Sequence, residues 1–328
     1  MQGQCHLYTD DAINFPKSLS SSDPGPLFDV CSLIAAHSGN VVIDASELAF
    51  IDPLGLAVLR ATLDCQPEEK CIHIRFLPKT MASYLTRMEF FQGLNVEGVD
   101  ENDRNPNGEP HNCVELIQVV DHEQSEEIAS RLVQAMTGQP NSAEKNPELE
   151  SCLRPIEYAL KELLENSLSH AKREGNGRSS VWVACQHFRT SGDVRLAIVD
   201  NGCGFLATLR GHAELTESTD GAAIQAALVA RVSCNRGPSV SFESESQNQG
   251  VGLTTTAKIA AAAEGHLVVV SGNAWVHTER NHQFEFQTSS WKGVAIAFTC
   301  KREKLPQVDI PSLLPQEDYV VDGEIQFD

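Results

Sequence analysis

Residues 162–170 read ELLENSLSH and residues 200–205 read DNGCGF. The first string lies in a stretch from about Glu148 to Ala171. Leu160, Leu164 and Leu168 recur there at every fourth position, the interval of a buried helical stripe. Glu162, Asn166 and His170 recur at the same interval on another stripe, so an acid, an amide and an imidazole project from one helix face, roughly 6 Å apart. The second string begins with Asp200, at the end of the apolar strand VRLAIVD (194–200). Gly202 and Gly204 follow it, and residues without a side chain let a ligand ring approach the backbone. A third string, Gln249-Gly250-Val251-Gly252-Leu253, opens the helix GLTTTAKIAAAAEG (252–265). Glycines at a helix N-terminus leave N–H groups bare at the positive end of the dipole, which suits phosphate.

Around these strings the hydrophobic pattern alternates between strand and helix. VVIDASELAFID (41–52) precedes PLGLAVLRATL (53–63), whose Leu54, Ala57, Val58 and Ala61 keep helical spacing. Asp52 before Pro53 is a helix start, because the carboxylate can cap free N–H groups and proline is tolerated in the first turn. CIHIRFL (71–77) reads as a strand and MASYLTRMEFFQGL (81–94) as an amphipathic helix. This order predicts a small α/β sandwich over residues 1–97. The Asn-, Asp-, Gly- and Pro-rich residues 98–112 read as a linker. VELIQVV (114–120) then predicts a strand, EQSEEIASRLVQAM (123–136) a helix, and VWVACQHF (181–188), HLVVVSG (266–272) and WKGVAIAFTC (291–300) further strands. The polar segment from Phe205 to Gln249 reads as a lid holding one helix at 221–232. Residues 305–328 read as an acidic, loosely packed tail.

Composition narrows the function. The chain has 328 residues, with 25 basic against 45 acidic side chains, for a net charge of −20. Nucleic-acid backbones and anionic membranes need clustered Lys and Arg, so neither is an expected partner. No run approaches 18 apolar residues, and the first fifteen residues lack an apolar signal core, so a cytoplasmic protein is expected. Ten cysteines without a CxxC pair read as reduced thiols. The eleven histidines show no HxxxH or HExxH spacing, so the sequence does not indicate zinc.

The order of the three strings resembles the GHKL family of ATP-binding domains, which includes gyrase B, the ninety-kilodalton heat-shock chaperone, MutL-type repair proteins and the histidine and anti-sigma kinases. The resemblance covers residues 113–304 and implies an α/β sandwich with a mixed sheet that binds ATP and Mg²⁺. It implies that Asn166 is the protein ligand to Mg²⁺ and Glu162 the general base. Asp200 would accept from the adenine amino group, Gly202 and Gly204 would make room for the base, and Gly250, Gly252 and Leu253 would stand at the phosphates.

ELLENSLSHA looks most like the anti-sigma-factor serine kinases, with MutL-type ATPases as the alternative. VVIDASELAFIDPLGLAVLRATL resembles the STAS domain of anti-sigma-factor antagonists through Asp52, Gly55 and Leu56. The phosphorylated serine of those antagonists aligns with Leu54, which has no hydroxyl. The expectation is therefore a STAS-like unit fused to a GHKL domain, acting as a serine/threonine kinase or nucleotide-gated switch. Its expected partner is a protein, either a STAS-type antagonist or a sigma-like regulator, and a homodimer is a further possibility. The remaining alternatives are an ATPase that dimerises on ATP and a module that senses ATP without turning it over.

Overall fold

The computed structural model describes residues 12–67, 69–99, 113–138, 147–173, 180–229 and 252–313. Its N-terminal part runs β1 (Ile13–Asn14), β2 (Ser18–Leu19), α1 (Gly25–Ala36), β3 (Val41–Asp44), β4 (Phe50–Ile51), α2 (Pro53–Asp64), β5 (Ile72–Arg75), α3 (Lys79–Arg87) and β6 (Val96–Glu97). Strands β1, β3, β5 and β6 form a parallel sheet in that order, and β2 pairs with β4. Helix α2 starts where the sequence puts it: Asp52 Oδ1 accepts from the Gly55 amide at 3.1 Å. Helix α3 is shorter than the expected 81–94. Glu89 takes a left-handed backbone (φ 55°), and Phe90 and Phe91 turn into the core, packed edge to face. Helix α1 and the short strands β1, β2 and β6 carry no strong periodicity, and the sequence pattern does not predict them.

The C-terminal part runs β7 (Cys113–Val119), α4 (Glu123–Thr137), α5 (Pro147–Arg173), β8 (Val181–Phe188), β9 (Asp193–Asp200), α6 (Gly204–Thr208), α7 (Asp220–Ala227), α8 (Gly252–Ala262), β10 (His266–Gly272), β11 (Ala274–His277), β12 (His282–Glu285), β13 (Trp291–Lys301) and α9 (Ile310–Leu313). The α/β class is as expected, with helices layered on one seven-stranded sheet of order β12-β11-β10-β13-β9-β8-β7. Every pairing in it is antiparallel, where a mixed sheet was expected. Two helices, not one, separate β7 from β8, so the chain re-enters in the opposite sense; β8–β9 and β11–β12 are joined by short turns. Of the expected lid, residues 205–229 carry α6 and α7, and the rest lies outside the described residues. The tail begins by packing: Leu305 and Val308 are buried in the core.

Side chains alternate across a strand, so a sheet apolar at successive positions is buried on both faces. That is the case here. Val194, Leu196 and Ile198 of β9, with Leu267 and Val269 of β10, face a core built on α4, α5 and α8. Ala197 and Val199, with Val268 and Val270, face the other way, into a core shared with the N-terminal part. Helix α2 fills that second layer, and every residue from Pro53 to Leu63 is buried. Its one buried cation, Arg60, bonds Asp64 at 3.0 Å and the Phe90 carbonyl at 2.9 Å, and lies over the Trp182 ring. Burial of Leu54, Leu56, Val58, Leu59 and Leu63 contributes about 1.5–3 kcal/mol for each side chain.

Asp52 fastens this helix to the sheet. Besides capping α2, its Oδ2 accepts from the amide and hydroxyl of Ser21, at 2.9 and 2.7 Å, and from Arg195 Nη1 of β9 at 3.2 Å. Replacing Asp52 by alanine removes a cap, worth about 1 kcal/mol, and leaves inward donors unpaired. Urea denaturation of Asp52→Ala should show a loss of about 2–4 kcal/mol; Asp52→Asn, which keeps an acceptor, should fall between it and the parent. A change below about 0.5 kcal/mol would show that the clasp adds nothing to stability.

Candidate functional site

Strand β9 delivers Asp200 to a fully buried position opposite Val181 of β8. The next turn folds back on it: Oδ1 accepts from the Gly202 amide at 2.9 Å, a short Asx-type closure, and from the Val294 amide at 3.2 Å. The Asp200 carbonyl accepts from the Trp291 indole at 2.9 Å. Oδ2 is buried and has no hydrogen-bond partner among the described residues. Burial pushes the Asp200 carboxyl up to about 7, although the Gly202 and Val294 amides and the nearby Ser167 hydroxyl favour its charged form. A buried acceptor without a donor costs about 1–3 kcal/mol. Such a group is held in place for something other than stability.

Backbone close to Asp200 demands glycine. A Cβ on Gly293 would lie 2.1 Å from the Asp200 carbonyl oxygen and 2.6 Å from Oδ1. Gly204, at φ 71°, would drive a Cβ to 2.8 Å from the Ser271 hydroxyl. That hydroxyl accepts from the Phe205 amide at 3.0 Å and donates to the Gly293 carbonyl at 3.1 Å. A chain of contacts therefore runs from the DNGCGF turn through β10 to the start of β13.

Helix α5 brings up the second half. Glu162 Oε1 accepts from the Tyr158 hydroxyl, one turn back, at 2.7 Å; its Oε2 is buried without a partner among the described residues. Burial raises its pKa, while the Tyr158 hydroxyl and the Gly252 N–H favour ionisation. Gly252 heads α8 against this side chain, where an added Cβ would sit 3.1 Å from Oε2. Leu253 behind it is buried in the inner core. Asn166 lies one turn beyond Glu162 and is partly exposed. Ser167, beside it, is buried and faces Asp200. Gly250 and the side chain of His170 lie outside the described residues.

The structure thus brings Glu162 to Gly252, and the Ser167 turn of α5 to Asp200. Sequence reading missed Ser167, Trp291, Gly293 and Ser271. Only Gly293 carried a signal, as a lone glycine in an apolar strand, which marks a close backbone approach. A cavity of about 640 Å³ lies elsewhere, on the outer face of the sheet, lined by Phe50, Arg87, Phe188, Arg189 and Arg195 among others. No helix among the described residues is long and apolar enough to cross a membrane.

Comparison with known proteins agrees with this geometry. The family model of the histidine kinase-, DNA gyrase B- and HSP90-like ATPases matches residues 153–292, a span that holds Glu162, Asn166, Asp200 and Gly252. The match supports a GHKL-type ATP-binding domain over those residues. Neither the curated proteins nor the solved structures yield a match.

The Asp200 carboxyl should make the ligand-free fold pH-sensitive. Its folded pKa, about 7, stands above the ordinary 3.8. The folded state then holds a proton that the unfolded state releases, so this contribution is greatest in acid and declines as pH rises from about 4 to about 7. Asp200→Asn keeps the Oδ1 acceptor and cannot ionise. Without nucleotide, its melting temperature should exceed the parent's at pH 8, with the gap closing toward pH 5; a gap of the same size at both values would show that ionisation is not the cause.

Proposed function

We propose that the protein binds ATP with Mg²⁺ and acts in a partner-switching pathway, as a serine/threonine kinase gated by its own N-terminal unit. The observation that carries this reading is the buried Asp200 with one oxygen bound by two backbone amides and the other left over. An adenine amino group supplies the missing donor. A base presenting a carbonyl at that position, as guanine does, would leave two acceptors face to face.

The remaining residues fit the rest of the nucleotide. Asn166 would give its side-chain oxygen to Mg²⁺, an ion that keeps several waters and takes further oxygens from phosphate. Bound Mg²⁺ would offset charge on the phosphates. The N–H groups at the start of α8, at Gly252 and Leu253, would meet the same phosphates at the positive end of the helix. Glu162 carries an inward oxygen, and burial raises its pKa, which makes it a stronger base than an exposed carboxylate. In transfer, an acceptor hydroxyl oxygen bonds the γ-phosphorus, the bond to ADP breaks, and Glu162 takes the hydroxyl proton. Most of the acceleration in such reactions comes from positioning and electrostatics.

The acceptor belongs to another protein. In the STAS-like reading, Leu54 stands where an antagonist carries its serine; it has no hydroxyl and is buried. A STAS-type antagonist or a sigma-like regulator fits the pathway. The N-terminal unit then serves as a fixed regulator in place of a substrate. Both ends of α2 touch β9 or its turn: Arg195 bonds Asp52 at 3.2 Å, and Asn201 Nδ2 lies 3.0 Å from Cys65 Sγ. Thirteen residues of helix and six of strand each span about 20 Å, so the two contacts share one register. Asn201 adjoins Asp200, which gives the N-terminal unit a grip on the adenine turn.

Hydrogen bonds to charged groups are worth about 1.5–3 kcal/mol, so Asp200→Ala should weaken ATP binding at least tenfold by calorimetry. Parent affinity should fall as pH is lowered through about 7, where the carboxyl gains its proton. Unchanged affinity in the variant rules out the adenine contact. Single-turnover assays with γ-labelled ATP and a STAS-type acceptor separate the chemistry. Glu162→Gln should keep binding within a few-fold while transfer falls about 100-fold or more; label released only as free phosphate would assign an ATPase instead.

A further inference from the structure

Two histidines that the sequence holds eleven positions apart meet at the end of the sheet remote from Asp200. His266 opens β10, and His277 closes β11. The antiparallel register sets His277 opposite Val268, on the outer face of the sheet, and brings the His266 ring onto it with centroids 4.1 Å apart. Glu279, in the turn after β11, leans back so that its Oε2 lies 3.8 Å from His266 Nδ1. One ring nitrogen from each histidine and one carboxylate oxygen of Glu279 all lie within 4.8 Å of one another. His277 is 4% exposed, and its Nδ1 has no hydrogen-bond partner among the described residues.

We propose that His266, His277 and Glu279 form a site for a divalent ion of the zinc type. Two imidazoles and a carboxylate are the donor set such an ion takes when a fourth position stays open to water. Imidazole donors favour zinc, copper or nickel over magnesium or calcium, so this site is chemically distinct from one for a nucleotide-bound ion. Bonds of 2.0–2.1 Å place tetrahedral ligands about 3.3 Å apart, so the three groups close in by roughly 1.5 Å on binding. Stacked rings aim their lone pairs side by side, and one of them must turn to converge on the ion. Glu279 is well exposed. A neutral imidazole offers the ion one ring nitrogen, and each ring can supply one. Arg280 and Arg195 oppose an added cation, and Glu279 and Asp193 oppose them in turn. The ion would clip the first residue of β10 to the β11–β12 turn, at a sheet edge where β12 is exposed at both ends.

Titration of chelator-treated full-length protein with Zn²⁺, and separately with Co²⁺, tests the site. The parent should bind one equivalent more than His266→Gln, and the cobalt spectrum of that equivalent should lack the thiolate charge-transfer band that any of the ten cysteines would produce. Glu279→Gln, an exposed change that leaves the fold alone, should weaken this equivalent at least tenfold. His277→Gln should abolish it; if that variant is misfolded by circular dichroism, the other two decide. The proposal is overturned if parent and variants take up the same number of equivalents with the same affinity, or if the folded parent binds no zinc at 100 µM.

Discussion

Alanine is the residue on which the two halves of this protein meet. Where α2 crosses the seven-stranded sheet, the outward side chains are Ala184, Ala197, Ala295 and Ala297, framed by Trp182, Trp275 and Trp291. Small side chains let a helix axis come close to the strands, and the surrounding indoles fill the margins. The result is a sheet with no wet face over most of its width and a helix with no wet face at all. Neither surface could be left to solvent without exposing a contiguous apolar patch of the kind soluble proteins avoid. The N-terminal unit is therefore bound to the ATPase-like unit by the same packing that makes each of them fold.

This arrangement gives the Asp200 turn a rigid backing. Asp200 Oδ2 and Glu162 Oε2 are buried and make no hydrogen bond of ordinary geometry among the described residues, although the Ser167 hydroxyl and the Gly252 N–H stand near the two carboxyls, and burial raises both pKa values. Groups of that kind oppose folding, and they persist where the surrounding contacts over-determine their place. Around Asp200 those contacts are the Gly202 and Val294 amides, the Trp291 indole and the glycine at 293. Trp291 also packs against Phe28 of α1, so one residue holds the carboxylate's backbone and closes the seam between the halves.

The sheet has a different character at its two ends. Asp200, Ser271 and Gly293 gather at one end around a carboxylate short of a donor. Arg195, Thr299 and His266 lie in register at the other. The Arg195 guanidinium packs against Phe50 and Phe188 while bonding Asp52, so the cation is screened by rings on its flat faces and by a carboxylate at its tip. The two ends lie about 17–20 Å apart at ~3.3 Å per residue.

Part of the candidate site was legible from local pattern. The four-residue interval of Glu162 and Asn166, the aspartate closing a strand before two glycines, and the glycine that heads α8 are constraints the backbone imposes within a few residues. The cap at Asp52 was readable for the same reason. What spacing could not show was any relation between strands distant in sequence. Ser167 beside Asp200, Gly293 pressed on the same carboxylate and His266 stacked on His277 all follow from sheet order and register. Those are settled by which faces exclude water together. The amino-acid order alone marked the longer helices and strands, among them α2, α4, α5, α8, β8, β9 and β13, and the chemical groups each carries. Only the packed structure decided that α2 lies between two sheets, that Arg195 reaches Asp52, and that two carboxylates end up buried with an oxygen to spare, because burial is a property of the whole assembly and of no single segment.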